Sequence, residues 1–284
     1  MGRQTKSTLR LALLAAAGLA FAAPAAAETV PRRVVSINVC TDQLAMLIAS
    51  EGQLHAVSAL ARDPNSSAMP EEAQAFAVTH GLAEEIFLME PDLVLAGTFS
   101  ARPTVGILRR LGIRVEEFRP ARSFDDIRAN ILRIGELLHR QERAGALVAE
   151  LDAGLAALAA QPPSGLSIAL YDANSYTTGT GTLADEIFRA AGLVNIAGRL
   201  GIAGSTRLPL ELLITAQPDV IASSFRTYGT PALAQENFSH PAFLALENRK
   251  QVVELPVPKM ICGAPFTLDA AFVLQRAARG QERP

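Results

Sequence analysis

The residues best suited to contact a ligand stand directly after the predicted strands of two α/β halves. Ligands of open α/β sheets bind at the carboxyl ends of the strands, so we expect these side chains to face a common cleft. The candidates in the first half are Asn38, Cys40, Thr41, Arg62, Asp63, Thr98, Phe99, Arg102 and Arg119. The candidates in the second half are Tyr171, Asn174, Tyr176, Phe225, Arg226, Tyr228, Lys259, Met260 and Cys262.

The composition of this set indicates the kind of ligand. Aromatic rings, a methionine and several arginines suit a large, partly apolar ligand that carries carboxylates or a net negative charge. Arginine and tyrosine are also common in exposed loops that bind nothing. The prediction therefore depends on the whole set and not on any one member.

Signatures of other chemistry are weak. The histidines at 55, 80, 139 and 240 are scattered and form no HExxH pair, so the sequence indicates no zinc site. The run Gly179-Thr180-Gly181-Thr182 lacks the lysine of a phosphate-binding loop, and we interpret it as a turn and helix N-cap. There is no Gly-x-Ser-x-Gly hydrolase elbow. We predict no catalytic residue, no cofactor and no metal site.

The two cysteines of the chain, Cys40 and Cys262, fall in strand-to-helix loops of opposite halves and should both approach the cleft. A disulfide requires their Cα atoms to lie within about 7 Å of each other. If they are not bridged, they are either small apolar side chains or soft donors that line the ligand site. The sequence leaves these outcomes open.

Short runs rich in Val and Ile alternate with helical stretches, which is typical of βαβ units and a parallel sheet. Predicted strands cover residues 33–37, 54–60, 92–96, 113–118, 166–171, 219–223 and 251–255. Predicted helices cover residues 42–50, 104–111, 183–191 and 210–216. We predict two Rossmann-like lobes, residues 28–122 and 163–284, with the ligand cleft between them.

The predicted linker, residues 123–162, is helical. Ser123 and Asp126 resemble a capping box, and Ile127, Ile131 and Ile134 repeat at helical spacing. A second run of about twenty residues from Gln141 would form a bridging helix roughly 30 Å long. A helical bridge resists large backbone rotations, so we expect the lobes to move only slightly on binding.

The first 27 residues have the pattern of a cleavable signal peptide. Basic residues Arg3, Lys6 and Arg10 precede an apolar run, and Ala25-Ala26-Ala27 offers a cleavage site. No cysteine is placed for lipid attachment, so we expect a free periplasmic protein. Removal of this segment leaves 23 basic against 28 acidic residues, a balance that disfavours nucleic acid as a partner.

One internal repeat links the two halves. Glu84 to Leu95 and Glu211 to Ala222 both read as an acidic helix start, a proline stop and a strand that begins Pro-Asp, 127 residues apart. A glutamate in a first helical turn is favourable without any partner, because of the helix dipole. Equal placement on two similar lobes instead suggests that each carboxylate meets one half of a two-fold symmetric partner.

With this repeat, the Arg-Val-Val-Ser start and the Leu-Gly-Ile-Arg-Val strand, the chain resembles the helical-backbone periplasmic binding proteins of ABC importers. The resemblance implies a monomer that delivers a ferric siderophore, cobalamin or haem, in that order of preference, to a permease dimer with its ATPase. It also implies that Glu84 and Glu211 dock into arginine pockets of the permease. The chain has no tryptophan, which argues against a corrinoid.

Two alternatives use the same fold. An exported α/β hydrolase or chelatase-like enzyme could use Asp63 and Tyr176 as acid and base. A signalling protein could present its bound ligand to a membrane sensor. Turnover separates the first alternative from a transport receptor, and neighbouring permease and ATPase genes separate the second.

Overall fold

The computed structural model describes residues 29–99, 102–223 and 233–280. The signal peptide prediction and three of the proposed ligand contacts, Phe225, Arg226 and Tyr228, lie outside the described residues. Of the helices within the described ranges, none combines the length and apolar character that a bilayer crossing requires.

The first lobe holds a five-stranded sheet in which all paired strands are parallel, in the order β3-β2-β1-β4-β5. Its strands are β1 (Val34–Ser36), β2 (Leu54–Ser58), β3 (Ala77–Thr79), β4 (Leu93–Gly97) and β5 (Val115–Phe118). Its helices are α1 (Val39–Ile48), α2 (Ala83–Leu88) and α3 (Arg102–Arg110). The strand order reverses between β1 and β4, which is where such sheets bind ligands.

Two consecutive helices, α4 (Phe124–Leu137) and α5 (Gln141–Ala159), form the bridge. Ser123 caps α4 by accepting a hydrogen bond from the Asp126 amide at 3.1 Å, and the Asp126 carboxylate accepts one from the Arg122 amide at 2.8 Å. This confirms the predicted N-terminal cap. The predicted lobe boundaries on either side of the bridge stay predictions.

The second lobe holds a four-stranded parallel sheet in the order β11-β10-β6-β8 and an antiparallel pair, β7 with β9. Its strands are β6 (Ser167–Leu170), β7 (Tyr176–Thr178), β8 (Val194–Asn195), β9 (Ser205–Arg207), β10 (Val220–Ser223) and β11 (Gln251–Glu254). Its helices are α6 (Leu183–Ala190), α7 (Ile196–Arg199), α8 (Leu210–Ala216), α9 (Glu236–Ser239), α10 (Pro241–Glu247), α11 (Pro258–Ile261) and α12 (Leu268–Ala277).

One continuous apolar core runs through both lobes and the bridge. It takes Val34 from the first sheet, Ile131 from α4, Leu151 from α5 and Ile168 from the second sheet. The next residue along each strand faces the other side, because side chains alternate across a strand, and packs into a core that belongs to its own lobe. This shared core supports the expectation of small lobe motion, which stays a prediction.

The α5 helix lies very close to the second lobe. A Cβ atom added at Gly154 would come within 2.4 Å of the Leu268 side chain on α12. Any larger residue at position 154 would force the Leu268 side chain to shift. The α5 half of the bridge is therefore packed against the second lobe.

The repeat in the sequence is also a repeat in the structure. The α2 and α8 helices each end at a residue in the left-handed conformation, Glu90 (φ 49°) and Gln217 (φ 47°). Each is followed by proline, which disfavours the right-handed helical conformation at the residue before it. The next residue in each copy, Asp92 or Asp219, accepts backbone amide hydrogen bonds at the start of the adjacent strand.

The α1 helix of the first lobe carries a buried carboxylate in its first turn. Asp42 of α1 is fully buried, and its Oδ2 accepts hydrogen bonds from the amide and the hydroxyl of Ser58 at 3.2 and 2.5 Å. Burial raises the pKa of Asp42 to about 6 from the usual 3.8, and the Ser58 hydrogen bonds offset only part of this rise.

We predict that Asp42 makes the protein less stable as pH rises. The pKa of Asp42 is higher in the folded protein than in the unfolded chain. Its contribution to the stability of the folded state is therefore fully present below pH 3.8 and is lost as pH rises through about 6. Between pH 4.5 and 7.5, the free energy of unfolding of the unmodified protein should therefore fall by about 2 kcal/mol relative to that of Asp42→Asn. Urea unfolding at both pH values measures this difference, and parallel pH profiles would contradict it.

Cys40 and Cys262 form a disulfide, with Cα atoms 5.0 Å apart and a sequence separation of 222. The bond joins the start of α1 in the first lobe to the segment after α11 in the second. The sequence left open whether the two cysteines are bonded to each other, and the structure contains the disulfide.

We predict that the double variant Cys40→Ser/Cys262→Ser has a free energy of unfolding lower by roughly 3–5 kcal/mol, because the bond closes a very long loop in the unfolded chain. Chemical unfolding with and without dithiothreitol measures the loss. The reductant should destabilise the unmodified protein and leave the variant unchanged. Alkylation of the unreduced, denatured protein should add no label, and two labels would contradict the bridge.

Candidate functional site

An open cavity of about 750 Å³ lies at the carboxyl edge of the first sheet. Phe99 and Arg102 line it from the region after β4, and Arg119 lines it from the end of β5. All three were predicted as ligand contacts, and the fold brings them together because β4 and β5 are neighbouring strands.

Several residues that line this cavity were not predicted as ligand contacts, among them Arg122, Asp126, Asn130 and Arg133. They lie just before or within α4, in a region that was interpreted only as a linker. A signal was present in the sequence, since Asn130 and Arg133 are three residues apart and share one helix face. The α4 helix thus has two roles, because one face packs into the shared core and another lines the cavity.

A smaller cavity of about 80 Å³ lies deeper, at the point where the strand order reverses. Asn38, Cys40 and Thr41 after β1 line it, and Thr98 lines it after β4. Gly263 of the second lobe also contributes, and a Cβ atom added there would meet Ile127 of α4 at 2.5 Å. The floor of the cleft is therefore built from both lobes.

A third cavity, of about 620 Å³, continues the cleft toward the second lobe. Arg122 lines both this cavity and the first one, so the two adjoin. The opposite wall is the loop from Thr180 to Thr182 together with Ser205. Thr182 caps α6 by accepting a hydrogen bond from the Asp185 amide, as expected of a turn and N-cap.

The charge of the cleft is concentrated on the first lobe. Arg102, Arg119 and Arg122 make no ion pair within the described part of the chain and are exposed to the cavity. Arg133 is already engaged, because it binds Glu116 at 2.7 Å and lies over the Phe118 ring. The cavity carboxylate Glu117 is also neutralised, by Arg109 at 2.8 Å. Asp126 also lines the cavity, and its carboxylate accepts a hydrogen bond from the Arg122 amide but makes no ion pair within the described part of the chain. The wall therefore presents three unpaired arginines against one unpaired carboxylate, an excess of two positive charges.

The prediction for Tyr171 is wrong. Its side chain is 0% exposed, its ring stacks on Phe243 with centroids 5.3 Å apart, and its hydroxyl binds Ser175 at 2.8 Å. It follows a strand, as ligand contacts do, but its ring points into the core of the second lobe. The sequence pattern did not separate these two orientations.

Other predicted contacts lie away from the three cavities. The Arg62 guanidinium donates to backbone carbonyls, including that of Phe76 at 2.6 Å, and so holds a loop. Tyr176 is half-exposed on β7 beside Arg207, and Met260 packs against the shared core. Thr41, in contrast, lines the small cavity, but its hydroxyl binds Ser36 at 2.7 Å and it has little exposure. Ligand contact by these residues stays a prediction.

The described part of the chain holds no group of three or more His, Cys, Asp or Glu side chains placed to bind a metal ion. Because the two cysteines are joined in a disulfide and the unpaired arginines of the cleft outnumber its unpaired carboxylate, the arrangement suits the binding of an intact anionic ligand. Arginine guanidinium groups donate several hydrogen bonds in fixed directions, which matches carboxylate or phenolate oxygens.

The chain is similar to known proteins in sequence. A cobalamin-binding protein of Halobacterium salinarum is 29% identical over 206 residues, which is 69% of this chain and 54% of that protein. The chain therefore spans about half the length of this curated relative, which occurs in two strains.

The fold is similar to solved structures. The periplasmic heme-binding protein HutB of Vibrio cholerae has a TM-score of 0.73 at 21% identity, over 86% of this chain and 97% of that one. The periplasmic vitamin B12 binding protein BtuF of Vibrio cholerae has a TM-score of 0.66 at 20% identity, over 90% and 99%. A possible iron-binding solute-binding protein of Staphylococcus epidermidis has a TM-score of 0.71 at 18% identity, over 88% and 99%.

The family described as periplasmic binding protein matches residues 34–256, from the first strand of the first sheet to just beyond the last strand of the second. This family, like the similar structures, consists of binding proteins and not of enzymes. The two sheets, the helical bridge and the cleft between the lobes all lie within or beside the matched range. The chain is a member of the periplasmic binding protein family.

Proposed function

We propose that this protein is the periplasmic substrate-binding component of an ABC importer, and that it captures a metal chelate and delivers it to the permease. The observation that carries the proposal is the cleft wall beside the exposed ring of Phe99, where three unpaired arginines outnumber one unpaired carboxylate, Asp126. The arginines are Arg102, Arg119 and Arg122. Such a wall suits a large ligand with anionic oxygens and apolar parts. A ferric siderophore fits this description best.

Cobalamin is the second candidate. The similarity to the cobalamin-binding protein of Halobacterium salinarum favours it. The lack of tryptophan and the concentrated positive charge of the cleft favour an anionic chelate over a corrinoid. Haem ranks third, because its two carboxylates suit the arginines while the described cleft offers no histidine to its iron.

We expect Arg119→Gln/Arg122→Gln to weaken binding of an anionic ferric tricatecholate by roughly 10- to 100-fold or more, because hydrogen bonds to charged groups contribute about 1.5–3 kcal/mol each. Arg110→Gln/Arg276→Gln is the control with the same change in charge, since both side chains are exposed and line none of the three cavities. Titration calorimetry with the tricatecholate, a ferric hydroxamate, cyanocobalamin and haemin measures the affinities.

An equal loss in the control, or tightest binding of cyanocobalamin by the unmodified protein, would overturn the siderophore assignment. The chelate should also return unchanged after prolonged incubation, because a transport receptor has no turnover. Mass spectrometry of the recovered chelate checks this.

The second proposal concerns delivery. Glu84 and Glu211 are both exposed in the first turns of equivalent helices, and neither makes a hydrogen bond or ion pair through its carboxylate in the described part of the chain. We propose that each carboxylate meets a basic pocket on one subunit of a permease dimer.

We expect Glu84→Lys/Glu211→Lys to abolish uptake and leave ligand affinity nearly unchanged. Stability should change by less than about 1 kcal/mol, because both side chains are exposed. Glu142→Lys/Glu150→Lys on α5 is a control with the same change in charge. Radiolabelled chelate uptake by cells measures the effect, and full uptake by the first variant would refute the docking role.

A further inference from the structure

The α2 helix exposes apolar side chains beside its glutamate. Leu82 is 59% exposed, Phe87 is 48% exposed and Leu88 is 79% exposed. Glu84, Phe87 and Leu88 lie at positions i, i+3 and i+4, so they share one face of the helix. The opposite face carries Ile86, which is fully buried in the first lobe. We call Leu82, Glu84, Phe87 and Leu88 the α2 face.

The equivalent face of the second lobe has the same charge but much less apolar surface. The residues 127 positions after Glu84, Phe87 and Leu88 are Glu211, Ile214 and Thr215. Ile214 is half-buried against the core of its lobe, and the Thr215 hydroxyl donates to the Glu211 carbonyl at 2.7 Å. The exposed apolar side chain on this helix is Leu212, at 45%.

We propose that docking to the permease is asymmetric: the α2 face inserts Phe87 and Leu88 into an apolar pocket of one permease subunit, beside a basic group that meets Glu84. This half of the interface carries most of the affinity, and Glu211 mainly contributes electrostatic attraction and orientation. The inference rests on the proposed function, because it assumes delivery to a permease dimer.

The Glu84 carboxylate lies beside the apolar side chains of the α2 face and restricts what can bind there. A two-fold contact between two copies of this chain would bring the two Glu84 carboxylates together, which is unfavourable. An anionic lipid surface would repel Glu84 and also the acidic protein, whose formal charge is −2. A protein pocket that combines apolar walls with an arginine or lysine satisfies both the apolar and the charged side chains. The second lobe carries the equivalent carboxylate, Glu211, which favours a partner with two-fold symmetry.

The test compares two surface variants by their binding to the cognate permease–ATPase complex, reconstituted in nanodiscs. Phe87→Ser/Leu88→Ser should weaken association about tenfold or more, because truncation of buried anchors dominates interface energetics. Leu212→Ser, the control on the second lobe, should weaken it less than about threefold. The thermal midpoints of both variants should match the unmodified protein, because the altered side chains are exposed.

A gain of function provides the second readout. Thr215→Leu gives the second lobe the counterpart of Leu88 and should strengthen association, because both half-sites then offer apolar surface. Equal binding by all variants would overturn the inference, and so would equal losses from the two serine variants. Binding to empty nanodiscs, or self-association that Phe87→Ser/Leu88→Ser abolishes, would also overturn it by assigning the face to lipid or to a second copy.

Chelate binding is measured separately on every variant by titration calorimetry. If no chelate binds the unmodified protein, the proposed function fails. If chelates bind and the serine variants still associate normally with the importer, only the asymmetric docking fails.

Discussion

The structure depends on one continuous apolar core that passes from the first sheet through α4 and α5 to the second sheet. In a protein whose lobes meet only through flexible strands, the width of the cleft is set by the ligand. Here we expect packing to set the width, because α4 is buried against the first lobe and α5 against the second. The positions of Arg122, Asn130 and Arg133 follow from this packing, since the helix that joins the lobes also lines the cavity. The α4 helix therefore both connects the lobes and lines the cavity.

Much of this architecture could be predicted because it is encoded locally. The cap formed by Ser123 and Asp126 depends only on residues that are close in sequence. The regular alternation of strands and helices along the chain likewise favours parallel sheets. The repeat was also readable, since Pro91 and Pro218 each force a particular helix end. The Asp residues of the repeat have a structural role that the sequence did not reveal. Asp92 and Asp219 accept hydrogen bonds from backbone amides at the start of the neighbouring strands.

The rest depended on contacts between distant residues. Tyr171 and Arg119 both follow strands, yet one is buried among phenylalanines and the other faces the cavity. That difference is set by which neighbours fill the space around each side chain. Strands of only two or three residues, such as β3 and β8, were missed because they are too short to show an alternating pattern. The pairing of Cys40 with Cys262 likewise depended on a spatial approach across the whole fold.

The disulfide also changes how the protein responds to proteases. Because it joins residue 40 to residue 262, a cut at any one peptide bond between them leaves a single covalent molecule. Both fragments then stay joined at the floor of the cleft, where Cys40 lies. A loop cut once therefore cannot release half of the chain. The bond keeps the protein covalently continuous after such damage, which packing alone does not do.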